Sequence, residues 1–166
     1  MWKTIKPEEL ANNSFELIGK DWMLVTAGNK EASNTMTASW GGVGIMWGKP
    51  VAFVFIRPQR YTKEFIDKEE KFTLTFFPNE YKKALGYLGK VSGRDENKIE
   101  QSNLTLSYED GVPYFEEANI VLVCKKLYHQ YLEEKCFIGT EEIKRWYPEK
   151  DYHMMYVVEI EKVMVK

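Results

Sequence analysis

The chain has 166 residues, 44% of them hydrophobic and 29% charged, which suits a single soluble globular domain over 1–166 that can bury a full core without cross-links. Its 23 basic and 25 acidic residues give a net charge of −2, and the lysines and arginines are spread along the chain, so no electrostatic footprint for nucleic acid is present. The longest apolar runs, VAFVFI (51–56) and ANIVLVC (118–124), fall far short of the roughly 20 residues a membrane span needs, and MWKTIKPEEL carries no apolar signal core; the expectation is a cytoplasmic protein with no membrane partner.

In chain order, the segments rich in β-branched and aromatic residues are WMLVTAG (22–28), TMTASW (35–40), VAFVFI (51–56), KFTLTFF (71–77), ANIVLVCKK (118–126), KCFIGTEEI (135–143) and MYVVEIEKVMV (155–165), and each predicts a strand. In TMTASW, Thr35, Thr37 and Ser39 are spaced by two and share a face, with Met36, Ala38 and Trp40 on the other. KFTLTFF alternates with Phe72, Leu74 and Phe76 on one side, whereas VAFVFI is apolar throughout, as a strand buried on both faces is. A helix is predicted from Thr62, read as its N-cap, through KEFIDK; a second over 79–90; and a short third over 95–102, opening at Asp95. Asp110-Gly111 marks the turn of a small hairpin within 104–116. Many short strands with few helices and no βα alternation predict an antiparallel barrel with helical insertions. Cys124 and Cys136 read as reduced, buried thiols.

Chemistry of the chain's own is scarce. Gly44-Ile-Met-Trp-Gly48-Lys49-Pro50 has three residues between its glycines where a phosphate loop has four, and proline where Ser or Thr ligates magnesium. The two histidines, His129 and His153, lie far apart, and the cysteines form no CxxC, so no metal site is expected. No GxSxG elbow is present. A Ser/His/Asp triad assembles only in space and stays open at this point, but the scarcity of such groups points an enzyme reading toward a borrowed cofactor. Three segments offer to hold one. RPQRYT (57–62) puts two guanidinium groups at a helix start, where free N–H groups favour a phosphate. The hydroxyl-bearing strand 35–39 precedes it, and SGRDENK (92–98) follows. Singly, each has an ordinary structural explanation: surface ion pairs, a solvent face, a capped loop.

Their order is more specific. Asn34, the Thr/Ser-rich strand ending at Trp40, Pro50, VAFVFI, Arg60 and Thr62, then SGRDxxK and a Phe-Ile-Gly ending at 137–139, resemble the flavin reductase-like family with the FMN-binding split barrel, and most of all its flavoredoxin branch, over about residues 20–140. The chain departs from the family pattern in having Glu134 or Lys135 where a histidine often precedes Phe-Ile-Gly, and in ending YVVEIEKVMVK without a Gly/Arg/Tyr-containing segment. The resemblance implies a mainly β fold, a six-stranded antiparallel split barrel with helical insertions. It implies that Asn34, Thr37, Ala38 and Ser39 line the isoalloxazine and ribityl groups of FMN, with Trp40 packing nearby or shielding the ring. Arg57, Arg60, Tyr61 and Thr62 would grip the phosphate and ribityl end. Lys98 would meet either the phosphate or the pyrimidine ring. It further implies a homodimer and NAD(P)H-dependent flavin reduction by hydride transfer to N5, with no catalytic side chain required. The alternative is a flavoredoxin-like electron carrier that keeps FMN bound and serves a redox partner protein.

Overall fold

The computed structural model describes Met1 to Lys166. Its strands are β1 (Lys3–Ile5), β2 (Met23–Gly28), β3 (Ser33–Ala38), β4 (Gly41–Met46), β5 (Lys49–Ile56), β6 (Lys71–Phe76), β7 (Leu106–Glu109), β8 (Val112–Phe115), β9 (Ile120–Tyr131) and β10 (Met154–Val165). The α-helices are α1 (Ser14–Glu16), α2 (Tyr61–Lys68), α3 (Lys82–Lys90), α4 (Lys98–Gln101) and α5 (Glu141–Trp146).

The main sheet is antiparallel, in the order β3-β2-β6-β9-β10-β5-β4, with β1 added to β10. Its two path ends, β3 and β4, are consecutive in the chain and joined only by Ser39 and Trp40, so the sheet curls back on itself. The period-2 pattern then sorts side chains into an interior and an exterior. Inside lie Val25 and Ala27 of β2, Met36 of β3, Val54 and Ile56 of β5, Phe72 and Leu74 of β6, Leu122 and Cys124 of β9, and Tyr156 and Val158 of β10. A second core forms outside, where Leu24, Val121 and Val123 meet Leu85 and Leu88 of α3 and Val112 and Phe115 of the β7–β8 hairpin. The hairpin turns at Asp110 and Gly111, both at positive φ, as a two-residue turn of type I′ requires. α2 packs Ile66 and Phe65 against the interior core, and the nitrogen of Lys126 reaches the Ile66 carbonyl at its C-terminal end (2.6 Å).

The mainly β class matches the expectation, but the strand count does not: there are ten strands, eight of them in the main sheet. Counting β3 and β4 as one bent strand leaves six long ones; β1 and the β7–β8 hairpin are the additions. One strand was not foreseen, and three further expectations are corrected. GGVGIM forms β4 although its glycines argue against a strand; pairing with β5 along its whole length overrides propensity. Residues 135–143 are not a strand: a 3-10 turn at Glu134–Cys136 leads to α5, in which Glu141 and Glu142 occupy the first turn and Lys144 and Arg145 the last. Asn97, not Asp95, caps α4, its side chain accepting from the Glu100 N–H. Cys124 is buried in the barrel, which pushes its thiol up, but Cys136 is exposed.

The bend between β3 and β4 depends on Gly41, whose φ is 145° and where a Cβ would sit 2.6 Å from the Phe53 carbonyl oxygen. At the neighbouring Gly42 the nearest atom to such a Cβ is 4.0 Å away. Gly41→Ala is therefore expected to cost about 1–3 kcal/mol, read as a lowered urea midpoint, while Gly42→Ala leaves the midpoint within the range of a surface substitution.

Candidate functional site

β5 ends at Ile56, and Arg57-Pro58-Gln59-Arg60 carry the chain to the first turn of α2. Arg60 is extended (φ −69°, ψ 126°) and precedes the helix, so Thr62 is not the N-cap but the second helical residue. Its hydroxyl, 1% exposed, accepts from the Asn34 side-chain amide at 2.9 Å, tying β3 to the helix start. The 92–95 loop presses on this joint. A Cβ at Gly93 would lie 2.3 Å from the Asn34 Oδ1 and 3.1 Å from the Tyr61 ring, so only glycine fits. Arg94 stacks over Tyr61 at 4.6 Å, pairs with Glu64 and donates to the Gln59 carbonyl at 3.3 Å, which locks the loop onto α2.

Two cations enter the hollow left beside this joint. Arg60 donates through Nη1 to the Gly89 carbonyl at 3.0 Å, while its Nη2 is buried with no hydrogen-bond partner. Lys98, 3% exposed, donates to the Leu88 and Val91 carbonyls at 3.0 and 2.9 Å. Leu88, Gly89 and Val91 form the C-terminal end of α3, whose free carbonyls and negative dipole end suit cations. Those carbonyls use one Arg60 nitrogen and two of the three lysine hydrogens. The cleft of about 190 Å³ is lined by Gln59, Arg60, Tyr61, Thr62, Lys90, Val91, Ser92 and Lys98, with no carboxylate among them. Burial, and secondarily the Arg60 charge, bring the Lys98 ammonium down to about 8, and burial also lowers Arg60. Uncompensated buried charge is costly; an anion in the cleft removes that cost.

Arg60 also borders a second hollow of about 230 Å³, formed by the end of β3 (Met36 to Trp40), Phe55, Arg57, Trp146 and His153. Trp40 is 39% exposed and meets Trp146 edge-on, with centroids 4.9 Å apart, and His153 at 5.2 Å. His153 is buried; its Nδ1 lies 2.7 Å from the Tyr147 hydroxyl, for which the structure gives no other bond. Burial first, then the Arg57 charge, opposed by Asp151, hold the His153 pKa at about 4, so the ring is neutral at pH 7.

The two hollows meet at Arg60. One offers flat apolar walls, the other cationic donors and the free N–H groups of a helix start. Such a site fits a planar conjugated ring carrying an anionic tail. Of the residues expected from sequence, Thr37, Ala38, Ser39, Trp40 and Arg57 lie at the ring hollow, Tyr61, Thr62 and Lys98 at the cleft, and Arg60 at both. Asn34 stands behind, bonded to Thr62. Arg57 lies outside the cleft: Nη1 pairs with Asp151 at 2.8 Å and Nη2 donates to the Trp146 carbonyl at 2.9 Å. The hydroxyls of β3 are partly spent within the protein. Thr35 is buried against Thr26 (2.9 Å), and Thr37 donates to the Leu85 carbonyl of α3 (2.5 Å). Phe55, Trp146 and His153 were not foreseen. Met154 pairs with Ile56, which sets His153 beside Arg57, and nothing local in the sequence announces that pairing.

Comparison with known proteins identifies the family of this fold. The family model of the flavin reductase like domain matches residues 16–166. An FMN-binding domain of a flavin reductase-like enzyme from Shewanella baltica superposes with a TM-score of 0.70 at 17% identity, over 99% of this chain and 77% of that one. Flavoredoxin of Desulfovibrio vulgaris (Miyazaki F) gives 0.69 at 21%, over 98% and 77%. An FMN-binding protein from Thermus thermophilus, solved with bound 1-cyclohex-2-enone, gives 0.64 at 25%, over 86% and 68%. No curated protein sequence matches. With the model spanning nearly all of the chain, the protein belongs to the flavin reductase-like family.

Proposed function

We propose that the protein binds FMN, with the phosphate in the Arg60–Lys98 cleft and the ring in the hollow beside Trp40, and acts as an NAD(P)H-dependent flavin oxidoreductase. The observation that carries this reading is the buried Arg60 Nη2 without a partner, next to buried Lys98, in a cleft with no acidic residue. A dianionic phosphate monoester supplies the missing acceptors, each charge-assisted hydrogen bond contributing about 1.5–3 kcal/mol. The redox chemistry at the ring, hydride acceptance from NADH or NADPH at N5, belongs to the cofactor.

What the chain contributes is binding, orientation and exclusion of water. Arg60 and Lys98 hold the tail, and the N-terminal N–H groups of α2 add donors to it. Asn34 fixes Thr62, and through it the first turn of α2, against β3. Trp40 and Trp146 flank the ring hollow, and Ala38 and Ser39 bring backbone and a small side chain to its floor. No general acid or base is needed, and none is assigned. The flavoredoxins among the similar structures favour a second reading, an FMN-bound electron carrier. Stopped-flow mixing of the FMN-loaded protein with NADH or NADPH separates the two: rapid loss of the visible flavin band marks the reductase, and reduction only by dithionite marks the carrier.

Arg60→Ala is expected to weaken FMN about 10–100-fold, the equivalent of one charged hydrogen bond, and riboflavin far less, as read by flavin-fluorescence titration. Equal losses for both ligands would remove the phosphate assignment.

Lys98 gives the binding a pH dependence. The phosphate is dianionic above about pH 6 and favours the charged ammonium, whose value in the free protein is about 8. FMN affinity is therefore expected to be level between about pH 6 and 8 and to fall as pH rises above 8, by up to about tenfold per unit. Riboflavin affinity stays flat over the same range, and Lys98→Met removes the slope for FMN.

A further inference from the structure

The 132–153 connection between β9 and β10 folds back over the ring hollow, and one arginine fastens it. Arg57 Nη1 donates to the Asp151 carboxylate (2.8 Å), Nη2 donates to the Trp146 carbonyl (2.9 Å), and the guanidinium lies 5.0 Å from the centre of the Tyr147 ring. Gln59 donates to the same Asp151 oxygen at 2.7 Å. RPQR thus divides: residues 57 and 59 turn to the connection, and residue 60 turns to the cleft. Within the connection, the Tyr147 ring packs at a tilt against Tyr152, with centroids 4.9 Å apart, and its hydroxyl bonds His153, while the Leu132 N–H donates to the His153 carbonyl at 2.9 Å, closing the loop at its base.

We propose, resting on the FMN reading, that Arg57 is not a phosphate ligand but a positioning residue. It fastens the 132–153 connection as the outer wall of the ring hollow and so places Trp146 and the His153 ring against the flavin ring. Three features carry this. Both terminal guanidinium nitrogens are already bonded to the connection, and the side chain lies outside the cationic cleft. Trp146 and His153, the two residues the connection contributes to the hollow, flank the backbone and side-chain atoms that Arg57 holds. The helical part of the wall adds no buried anchor of its own, because α5 buries no side chain.

The test uses the full-length protein and three variants, Arg57→Ala, Asp151→Ala and Arg60→Ala. In the flavin-free state, hydrogen exchange of amides 141–153 is expected to speed up at least tenfold in Arg57→Ala and to a smaller degree in Asp151→Ala, with 61–68 and 92–98 unchanged. In titrations, both variants are expected to weaken FMN and riboflavin by the same factor, unlike Arg60→Ala, which weakens FMN far more than riboflavin. Unchanged exchange over 141–153 overturns the proposal, as does a loss of FMN affinity in Arg57→Ala that spares riboflavin. Faster exchange throughout the chain would mark general destabilisation and also overturn it. If the wild-type protein binds neither flavin, the FMN reading and the flavin-facing role fall together, and the exchange result still decides whether Arg57 fastens the connection.

Discussion

A guanidinium and an ammonium, both largely withdrawn from water and with no acid beside them, are the constraint around which this end of the barrel is built. Such a pair is tolerable only because α3 terminates against it: the Leu88, Gly89 and Val91 carbonyls each accept from one of the two cations. The helix end compensates part of the charge and leaves donors over. The position of α3 in turn depends on Thr37, whose hydroxyl donates to Leu85, and on Gly89, where a Cβ would come within 3.1 Å of the Thr37 Cβ. Sheet, helix and cationic cleft therefore form one mechanical unit.

On the proposed FMN reading, recognition of the tail and of the ring is separated. The tail would meet Arg60 just ahead of α2, and Lys98 of α4 beside the end of α3. The ring would meet the open end of β3 and the β9–β10 connection, an element with few buried residues of its own. Family membership fixes the fold and the general flavin connection; the division of labour between Arg57 and Arg60, three residues apart, belongs to this chain's own geometry.

Much of this was legible in the sequence because local pattern and tertiary role coincide. KFTLTFF alternates, and Phe72, Leu74 and Phe76 do face the interior. Asp110-Gly111 can hardly form anything but a tight hairpin turn. RPQRYT and SGRDENK do converge on one cleft. The rest was hidden where tertiary pairing outranks local preference. β4 is a glycine-rich segment made into a strand by β5, and residues 135–143 mix β-branched and aromatic side chains with a helix-opening Thr-Glu-Glu. The hydroxyl row of β3 was visible, but its use was not: whether Thr35 bonds a ligand or Thr26 depends on the β2–β3 register. His153 and Trp146 reach the site only because β10 pairs with β5, a contact between segments about a hundred residues apart.

The most direct measurement is a crystal structure of the protein soaked with FMN, read at the phosphorus position. The site described here requires the phosphate oxygens within hydrogen-bond distance of Arg60 Nη2 and Lys98 Nζ, with the ring against Ala38, Ser39 and Trp40. FMN seated elsewhere, or a cleft left without phosphate while Arg60 turns to a neighbouring carboxylate, would contradict it.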